Sequence, residues 1–308
     1  MIANRHPEWL AAMALALGAL VLPAGPAAAQ GVCTMENLSG TYAYEFHGSG
    51  TKVLGNSGQY WSLESRPVHS VGWITLHADG TMDGSGWSIV GATTSLNPTA
   101  MAGGLVDLDA AACTAELRWS PVLPGGVLGP LHRERLLFAK NGQEYRSVLI
   151  KPPTAGTIWS GRGQRIAQAP GGVQTCGTHL LKGDVLVRTE TLRRPEVPPP
   201  SQPSFAGAAS MLRLTVAEDG SYTGTLYTID PTSRTVQVYG AFDVQPDCTF
   251  GVTLTSVDLP DVTQHGRGVL FGQGKQGFLM LPLETTQLNV PVGVKPVFAW
   301  GELLSLGR

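Results

Sequence analysis

Cys33-Thr-Met-Glu-Asn-Leu-Ser-Gly40 and Cys176-Gly-Thr-His-Leu-Leu-Lys-Gly183 are two copies of one pattern, C-x4-L-x-G, and each opens one half of the chain. Later landmarks recur in the same order. The pair Asp79-Gly80 in the first half, for example, returns as Asp219-Gly220 in the second. Landmarks that repeat in order at a long period are the signature of an internal duplication. The sequence therefore predicts two domains of the same fold.

The four cysteines follow the same duplication, because two of them fall at matching positions in each half. In an exported chain, cysteines with this spacing indicate structural disulfides, since they fit neither a CxxC redox site nor a zinc knuckle. Four cysteines allow three pairings. The duplication selects the pairs Cys33–Cys113 and Cys176–Cys248.

The first 29 residues have the features of a secretory signal peptide. A short polar start is followed by an apolar run from Leu10 to Leu22, and Ala27 and Ala29 form an A-x-A cleavage signal. This run is too short to span a bilayer of about 30 Å as a helix. We therefore expect a mature chain that begins near Gln30, is exported to the periplasm or beyond, and has no stable membrane insertion.

The composition argues against a nucleic-acid partner and against disorder. Only 14% of the residues are charged, the formal net charge is −2, and no basic patch is present. The sequence therefore predicts no positively charged surface that could bind the phosphate backbone of a nucleic acid. The hydrophobic fraction of 43% is enough to form folded cores.

The pattern of short strands and turns predicts an all-β fold. Tyr42, Tyr44 and Phe46 alternate with other residues at the period of a strand, and Asp79-Gly80 is a hairpin signal. About eight such strands per repeat suit a small closed antiparallel barrel, because closure removes exposed sheet edges. A β-sandwich is the alternative. The Gly/Ala/Thr-rich stretch between Val90 and Cys113 is expected to be a loose connection.

We divide the chain into a signal peptide at 1–29, a first barrel-like repeat at 30–165, a linker at 166–175 and a second barrel-like repeat at 176–308. The Pro-rich segment 194–203 resembles a linker in composition. The alignment of the repeats places it between two strands of the second repeat, so we assign it to a loop there.

The second repeat predicts which face of the first repeat is internal. Its apolar residues Leu212 and Leu214 alternate with polar ones. Carried across to the first repeat, this alternation places Ile74 and Leu76 inward and Trp73 outward. An outward tryptophan beside a second copy of the domain suggests a contact between the repeats.

These landmarks resemble those of a group of uncharacterised bacterial exported proteins. The shared features are C-x4-L-x-G-x-Y, a DG hairpin in the middle of the domain, and a Cys-Thr pair near a late strand, preceded by Asp in Asp247-Cys248-Thr249 but by Ala112 in the first repeat. The resemblance covers both repeats and implies lipocalin-like or allene-oxide-cyclase-like barrels. The second repeat departs from it at Gly183-Asp-Val185, where Gly-x-Tyr is expected. The resemblance implies no established activity, so no catalytic residue is carried over.

Aromatic residues cluster in the first half of the first repeat, where they could line a cavity for a small apolar ligand. The residues predicted to bind such a ligand are Tyr42, Tyr44, Phe46, Trp61 and Trp87. The same residues could instead fill the core of the barrel.

The predicted barrels and the aromatic cluster are compatible with three functions. The first is a non-enzymatic exported protein that binds a small apolar ligand, and the second is a structural or interaction protein of the envelope. The third is a barrel isomerase or cyclase that uses Glu45 or His47 as an acid or base. If Tyr44 and Phe46 point inward, alternation places Glu45 and His47 in solvent, and the third function loses that pair. No motif indicates a catalytic constellation, a metal site or a cofactor, so we expect none.

Overall fold

The computed structural model describes residues 33–54, 62–90, 93–94, 97–151, 158–166, 176–193, 206–230, 232–287, 290–292 and 297–306. The predicted signal peptide, the predicted linker apart from Ile166, and the Pro-rich loop 194–203 lie outside these residues. The assignment of these segments as signal peptide, linker and loop therefore stays a prediction. Within the described ranges, no helix has the length and apolar character needed to cross a membrane.

The first repeat forms a closed antiparallel barrel of eight strands. Its elements are the one-turn helix α1 (Met35–Leu38) and the strands β1 (Gly40–Leu54), β2 (Ser62–Leu76), β3 (Thr81–Val90), β4 (Thr93–Thr94), β5 (Thr99–Asp109), β6 (Thr114–Pro121), β7 (His132–Ala139), β8 (Glu144–Lys151) and β9 (Ile158–Arg165). The strands pair in the order β2-β1-β9-β8-β7-β6-β5-β3, and β2 also pairs with β3, which closes the barrel. The short β4 pairs with β3.

The second repeat forms another closed barrel of the same kind. Its strands are β10 (Gly183–Arg193), β11 (Ala206–Val216), β12 (Ser221–Asp230), β13 (Thr232–Val244), β14 (Thr249–Ser256), β15 (Leu259–Phe271), β16 (Gln276–Gln287), β17 (Val290–Val292) and β18 (Val297–Ser305). The order is β15-β14-β13-β12-β11-β10-β18-β16, and β15 pairs with β16 to close it. The prediction of two tandem barrels is confirmed, and the β-sandwich alternative is wrong.

Two details of the first barrel differ from the prediction. The stretch expected to be loose contains β5, whose Gly103 lies so close to the backbone of Arg118 on β6 that a side chain would collide with it. Its glycines therefore allow strands to approach and do not mark a loop. In addition, the Gly/Ser/Asn-rich composition of residues 48–58 predicts a loop, whereas β1 continues to Leu54 and pairs along its whole length with a single long β2.

The geometry explains the repeated pattern C-x4-L-x-G. In each copy the cysteine forms a disulfide, the leucine is fully buried and the glycine has a positive φ, 143° for Gly40 and 109° for Gly183. Such a φ is costly for any residue with a Cβ atom. The buried leucines are Leu38 and Leu181, and they stand just before the first strand of each barrel.

Both predicted disulfides are confirmed. Cys33 bonds to Cys113 and Cys176 bonds to Cys248, with Cα atoms 5.3 Å and 4.9 Å apart. Each bond joins the entry of a barrel to the turn before its β6 or β14 strand. The two disulfides indicate an oxidising environment outside the cytoplasm.

The predicted internal face of the first barrel is also confirmed. Ile74 and Leu76 are buried in its core together with Tyr42, Tyr44 and Phe46. The other core residues of this barrel are Cys33, Leu38, Met82, Met101, Leu105, Cys113, Ala115, Leu117, Leu136, Phe138 and Tyr145.

The outer faces of β1, β2 and β3 pack against the second barrel. Ala43, Val71, Trp87 and Ile89 are buried in the same hydrophobic cluster as the apolar residues of the second barrel. Trp73, predicted to face outward towards the other repeat, packs against this cluster. The two barrels therefore share a buried apolar interface.

Candidate functional site

The first barrel contains a cavity of about 200 Å³. Its lining residues are Tyr44, Phe46, Val68, Ser70, Gly86, Ser88, Thr99, Met101, Trp119, Pro121, His132 and Trp159. Thr99, Pro121 and His132 are the first or last residues of their strands, which places the cavity at one end of the barrel. The opposite end is occupied by α1 and the Cys33–Cys113 disulfide.

Glycines make room for the aromatic rings of this cavity. Gly161 pairs with Phe46 across β9 and β1, and a Cβ atom at Gly161 would collide with the Phe46 ring. A Cβ atom at Gly86 would likewise collide with the hydroxyl of Tyr44. Tyr44 and Phe46 stack on one another with ring centroids 4.6 Å apart. The aromatic rings can therefore lie flat against the barrel wall, because the neighbouring residues are glycines without side chains.

A three-ring stack forms another wall of the cavity. The His132 ring lies 4.1 Å from the Trp119 ring and 5.1 Å from the Trp159 ring, measured between centroids. Burial lowers the pKa of His132 to about 4, so the imidazole is neutral at pH 7. The stack therefore presents an uncharged aromatic surface to the cavity.

A buried carboxyl group holds the two tryptophans of this stack. Oε1 of Glu134 accepts hydrogen bonds from the indole N–H of Trp119 at 2.8 Å and of Trp159 at 3.3 Å. Glu134 is fully buried. Burial raises the pKa of this carboxyl, and the indole hydrogen bonds oppose that effect only in part.

We expect the free energy of unfolding to decrease as the pH rises, because the buried carboxyl of Glu134 must then ionise. Because the pKa of Glu134 is raised in the folded state, the folded protein binds more protons than the unfolded chain above the ordinary value of 4.5. The free energy of unfolding should then fall as the pH rises from 4.5 through the raised pKa. In a Glu134→Gln variant this fall should become smaller, and the part that remains should come from Glu45, whose pKa is also raised. Urea denaturation across a pH series measures the difference.

The control for this experiment is Glu190→Gln, which removes a carboxylate from an exposed ion pair with Arg188. That variant should keep the pH dependence of the wild type. If Glu134→Gln also keeps it, Glu134 is not the group that titrates.

The structure brings together only part of the predicted ligand-binding set. Tyr44 and Phe46 line the cavity. Tyr42 points into the same barrel but lies towards α1, where its hydroxyl is 2.8 Å from the carbonyl oxygen of Leu38 and 2.7 Å from that of Gly142. Trp61 lies outside the described residues.

Trp87 does not line the cavity. Its neighbours on β3, Gly86 and Ser88, do so, and alternation along the strand turns Trp87 to the opposite face. There it belongs to the cluster between the two barrels. The prediction grouped Trp87 with the other aromatics by residue type, whereas the strand period separates them.

Three aromatic residues that line the cavity were missed, namely Trp119, His132 and Trp159. One signal for Trp119 was available in the sequence, because the apolar residues Ala115, Leu117 and Trp119 alternate with Glu116 and Arg118 on β6. We find no comparable sequence signal for the convergence of β7 and β9 on this residue.

A second, polar cleft of about 470 Å³ lies between the barrels. Its lining residues are Glu45, His47, Arg146, Ser147, Val148, Ser160, Gly161, Arg162, Arg188, Glu190, Gly301 and Glu302. Arg162 connects the two walls: its Nε donates to Glu45 Oε1 at 2.5 Å, and its NH2 nitrogen donates to Glu302 Oε1 on the second barrel. The guanidinium also lies over the Phe278 ring, 4.8 Å from its centroid.

This arrangement corrects the prediction for Glu45. The aromatics do point inward and His47 is exposed, but Glu45 is buried because the second barrel covers this face. Burial raises the pKa of Glu45, and the charge and hydrogen bond of Arg162 oppose the rise. Glu45 and His47 both lie outside the aromatic cavity.

Several solved structures align with this chain, and two of them follow. One is a protein of unknown function from the DUF3598 family of Nostoc punctiforme, with 11% identity over 90% of this chain and 99% of that chain and a TM-score of 0.28. The other is a double mutant of transferrin binding protein B, a vaccine antigen from Haemophilus parasuis, with 8% identity over 86% of this chain and 76% of that chain and a TM-score of 0.28. No protein-family model and no curated protein matches the chain. At these scores the alignments indicate nothing about what this chain binds.

Proposed function

We propose that the chain is an exported, non-enzymatic binding protein whose first barrel holds a small apolar ligand. The observation that carries this proposal is the cavity of about 200 Å³ with its aromatic walls. A cavity of roughly 150 Å³ is sufficient to bind benzene in a protein core. The ligand class is therefore a compact molecule of one or two rings, or an aliphatic group of similar size.

The walls of the cavity favour a flat ligand. Tyr44 stacked on Phe46 and Trp119 stacked on His132 present ring faces and edges, on which a planar ligand can pack by offset or edge-to-face contact. Few polar groups are available to orient the ligand. One is the hydroxyl of Ser70, which lies 3.4 Å from the hydroxyl of Tyr44.

The isomerase or cyclase alternative has less support. The acid and base that it requires, Glu45 and His47, lie on the outside of the barrel wall, and Glu45 is paired with Arg162. A general acid or base must come within hydrogen-bond reach of the reacting atom. A ligand in the cavity would be separated from both groups by the strand itself.

The export of the protein to the periplasm or the extracellular space is part of this proposal. It is supported by the two disulfides and by the signal-peptide features of residues 1–29. Cell fractionation of a bacterial host that expresses the full chain tests it.

Binding is tested by titrating the protein with an environment-sensitive apolar dye and recording dye and tryptophan fluorescence. We expect saturation at about one dye per chain. A Ser88→Phe variant, which places a ring in the cavity, should weaken dye binding at least tenfold. The matched control is Thr228→Phe, because Thr228 pairs with Ser210 in the second barrel as Ser88 pairs with Ser70 in the first.

The same titration separates the alternatives. Substituting Tyr44 should weaken binding and substituting His47 should not, since only Tyr44 lines the cavity. If the wild type binds no dye at tens of micromolar, the structural or envelope role is the better account. If Thr228→Phe abolishes binding and Ser88→Phe does not, the ligand site lies in the second barrel.

A further inference from the structure

The connection between β6 and β7 is an uncharged, apolar segment. Its sequence is Pro121-Val-Leu-Pro-Gly-Gly-Val-Leu-Gly-Pro-Leu131. Four of its large apolar side chains are exposed to solvent: Leu123 (43%), Val127 (62%), Leu128 (60%) and Leu131 (52%). Isolated exposed leucines are common, but several on one short segment indicate an interaction surface. We call residues 121–131 the apolar loop.

The apolar loop is an ordered hairpin. Val122 and Leu128 form a β-bridge, and the Leu123 N–H donates to the Val127 carbonyl at 2.8 Å. Gly125 and Gly126 make the turn with φ of 84° and 78°, and open space surrounds both residues. The segment therefore projects as a tip that holds its apolar side chains away from the barrel.

The base of the apolar loop forms part of the rim of the aromatic cavity. Pro121 and His132, on either side of the loop, both line the cavity. Ile158, the first residue of β9, is also exposed and stands next to Trp159 of the cavity wall. Apolar surface thus continues from the loop to the interior of the barrel.

We propose that the apolar loop docks the first barrel onto a lipid bilayer surface, so that an apolar ligand passes between the bilayer and the cavity. This inference rests on the proposed function. A projecting tip with no charged residue can enter the acyl region of a bilayer without burying a charge. Hydrogen bonds within the loop, donated by the backbone N–H groups of Leu123, Gly126 and Gly129, supply partners that lipid does not. A protein partner or a second copy would need a groove to receive such a tip.

The test uses vesicles of pure phosphatidylcholine, which have no net charge, and measures co-sedimentation of the full protein. The wild type should sediment with the vesicles. A Val127→Ser and Leu128→Ser double variant should bind them at least tenfold more weakly. The matched control is Leu137→Ser, because the side chain of Leu137 is also about half exposed (51%) but lies at the other end of β7.

Dye titration of the same variants separates this proposal from the proposed function. The double variant should keep the dye affinity of the wild type, since neither residue lines the cavity. Docking is overturned if the wild type does not sediment, or if Leu137→Ser weakens sedimentation as much as the double variant. It is also overturned if the wild type is a dimer that the double variant dissociates. Vesicle binding by a wild type that binds no dye would support docking and overturn the cavity function.

Discussion

Replacing Cys33 and Cys113 together with serine should lower the free energy of unfolding by about 4 kcal/mol. The bond closes a loop with a sequence separation of 80 residues, and losing it restores the conformational entropy of the unfolded chain. The chain-entropy estimate for a loop of this length is about 4.5 kcal/mol, as an upper value. The midpoint of thermal unfolding should fall by roughly 10 °C. Urea denaturation and calorimetry under non-reducing conditions measure both quantities.

The equivalent change in the second barrel is the internal control. The Cys176–Cys248 bond has a sequence separation of 72, so its removal should have nearly the same effect. If the repeats unfold independently, as the assignment of 166–175 to a linker predicts, each double variant should lower only its own unfolding transition. A single transition that both variants lower equally would mean that the shared interface makes the barrels one cooperative unit. A loss below about 1 kcal/mol would contradict the loop-entropy account.

Replacing Arg162 with alanine should lower the free energy of unfolding by about 2–3 kcal/mol. The change leaves the carboxylate of Glu45 buried without its counter-charge, and removing one partner of a buried pair costs roughly 3–5 kcal/mol. The side chain of Arg162 is 21% exposed and that of Glu45 is 6% exposed, so we expect a value at or below the lower end of that range. Loss of the contact with the Phe278 ring adds to the effect.

Two comparisons make this prediction specific. Arg188→Ala removes an exposed arginine whose pair with Glu190 is open to solvent, and it should cost less than about 1 kcal/mol. Arg162→Ala combined with Glu45→Gln should recover part of the loss, because no buried charge is left unpaired. The effect of Arg162→Ala should also shrink as the pH falls below 4.5, where Glu45 is protonated. An equal loss in Arg188→Ala would contradict the role of Arg162 in joining the barrels.

Much of the fold could be predicted because its signals are local or repeated. The strand period alone shows that Tyr42, Tyr44 and Phe46 share a face with one another, and the second copy indicates that Ile74 and Leu76 are internal. The matching positions of the cysteines selected both disulfides among three possible pairings. These inferences need no knowledge of which strands meet in space.

The candidate site depends on contacts that no local pattern encodes. Closure of the barrel brings Trp119 and Trp159 onto the same carboxyl group of Glu134, although Trp159 is 25 residues away from it in the chain. The amino-acid composition of the first repeat does not predict this convergence, whereas the direction of Trp87 follows from the strand period once the limits of β3 are known.

By itself, the sequence determined the duplication, the disulfide pairing, the all-β class and the internal face of β2, since each of these follows from period and spacing. The tertiary structure decided where the cavity lies and which polar groups are buried. Glu45 is internal to the molecule although it faces away from its own barrel, because Arg162, 117 residues further along the chain, and the second barrel cover it. Burial of an outward-facing residue depends on what packs against it, and only the packing of one barrel on the other supplies that neighbour.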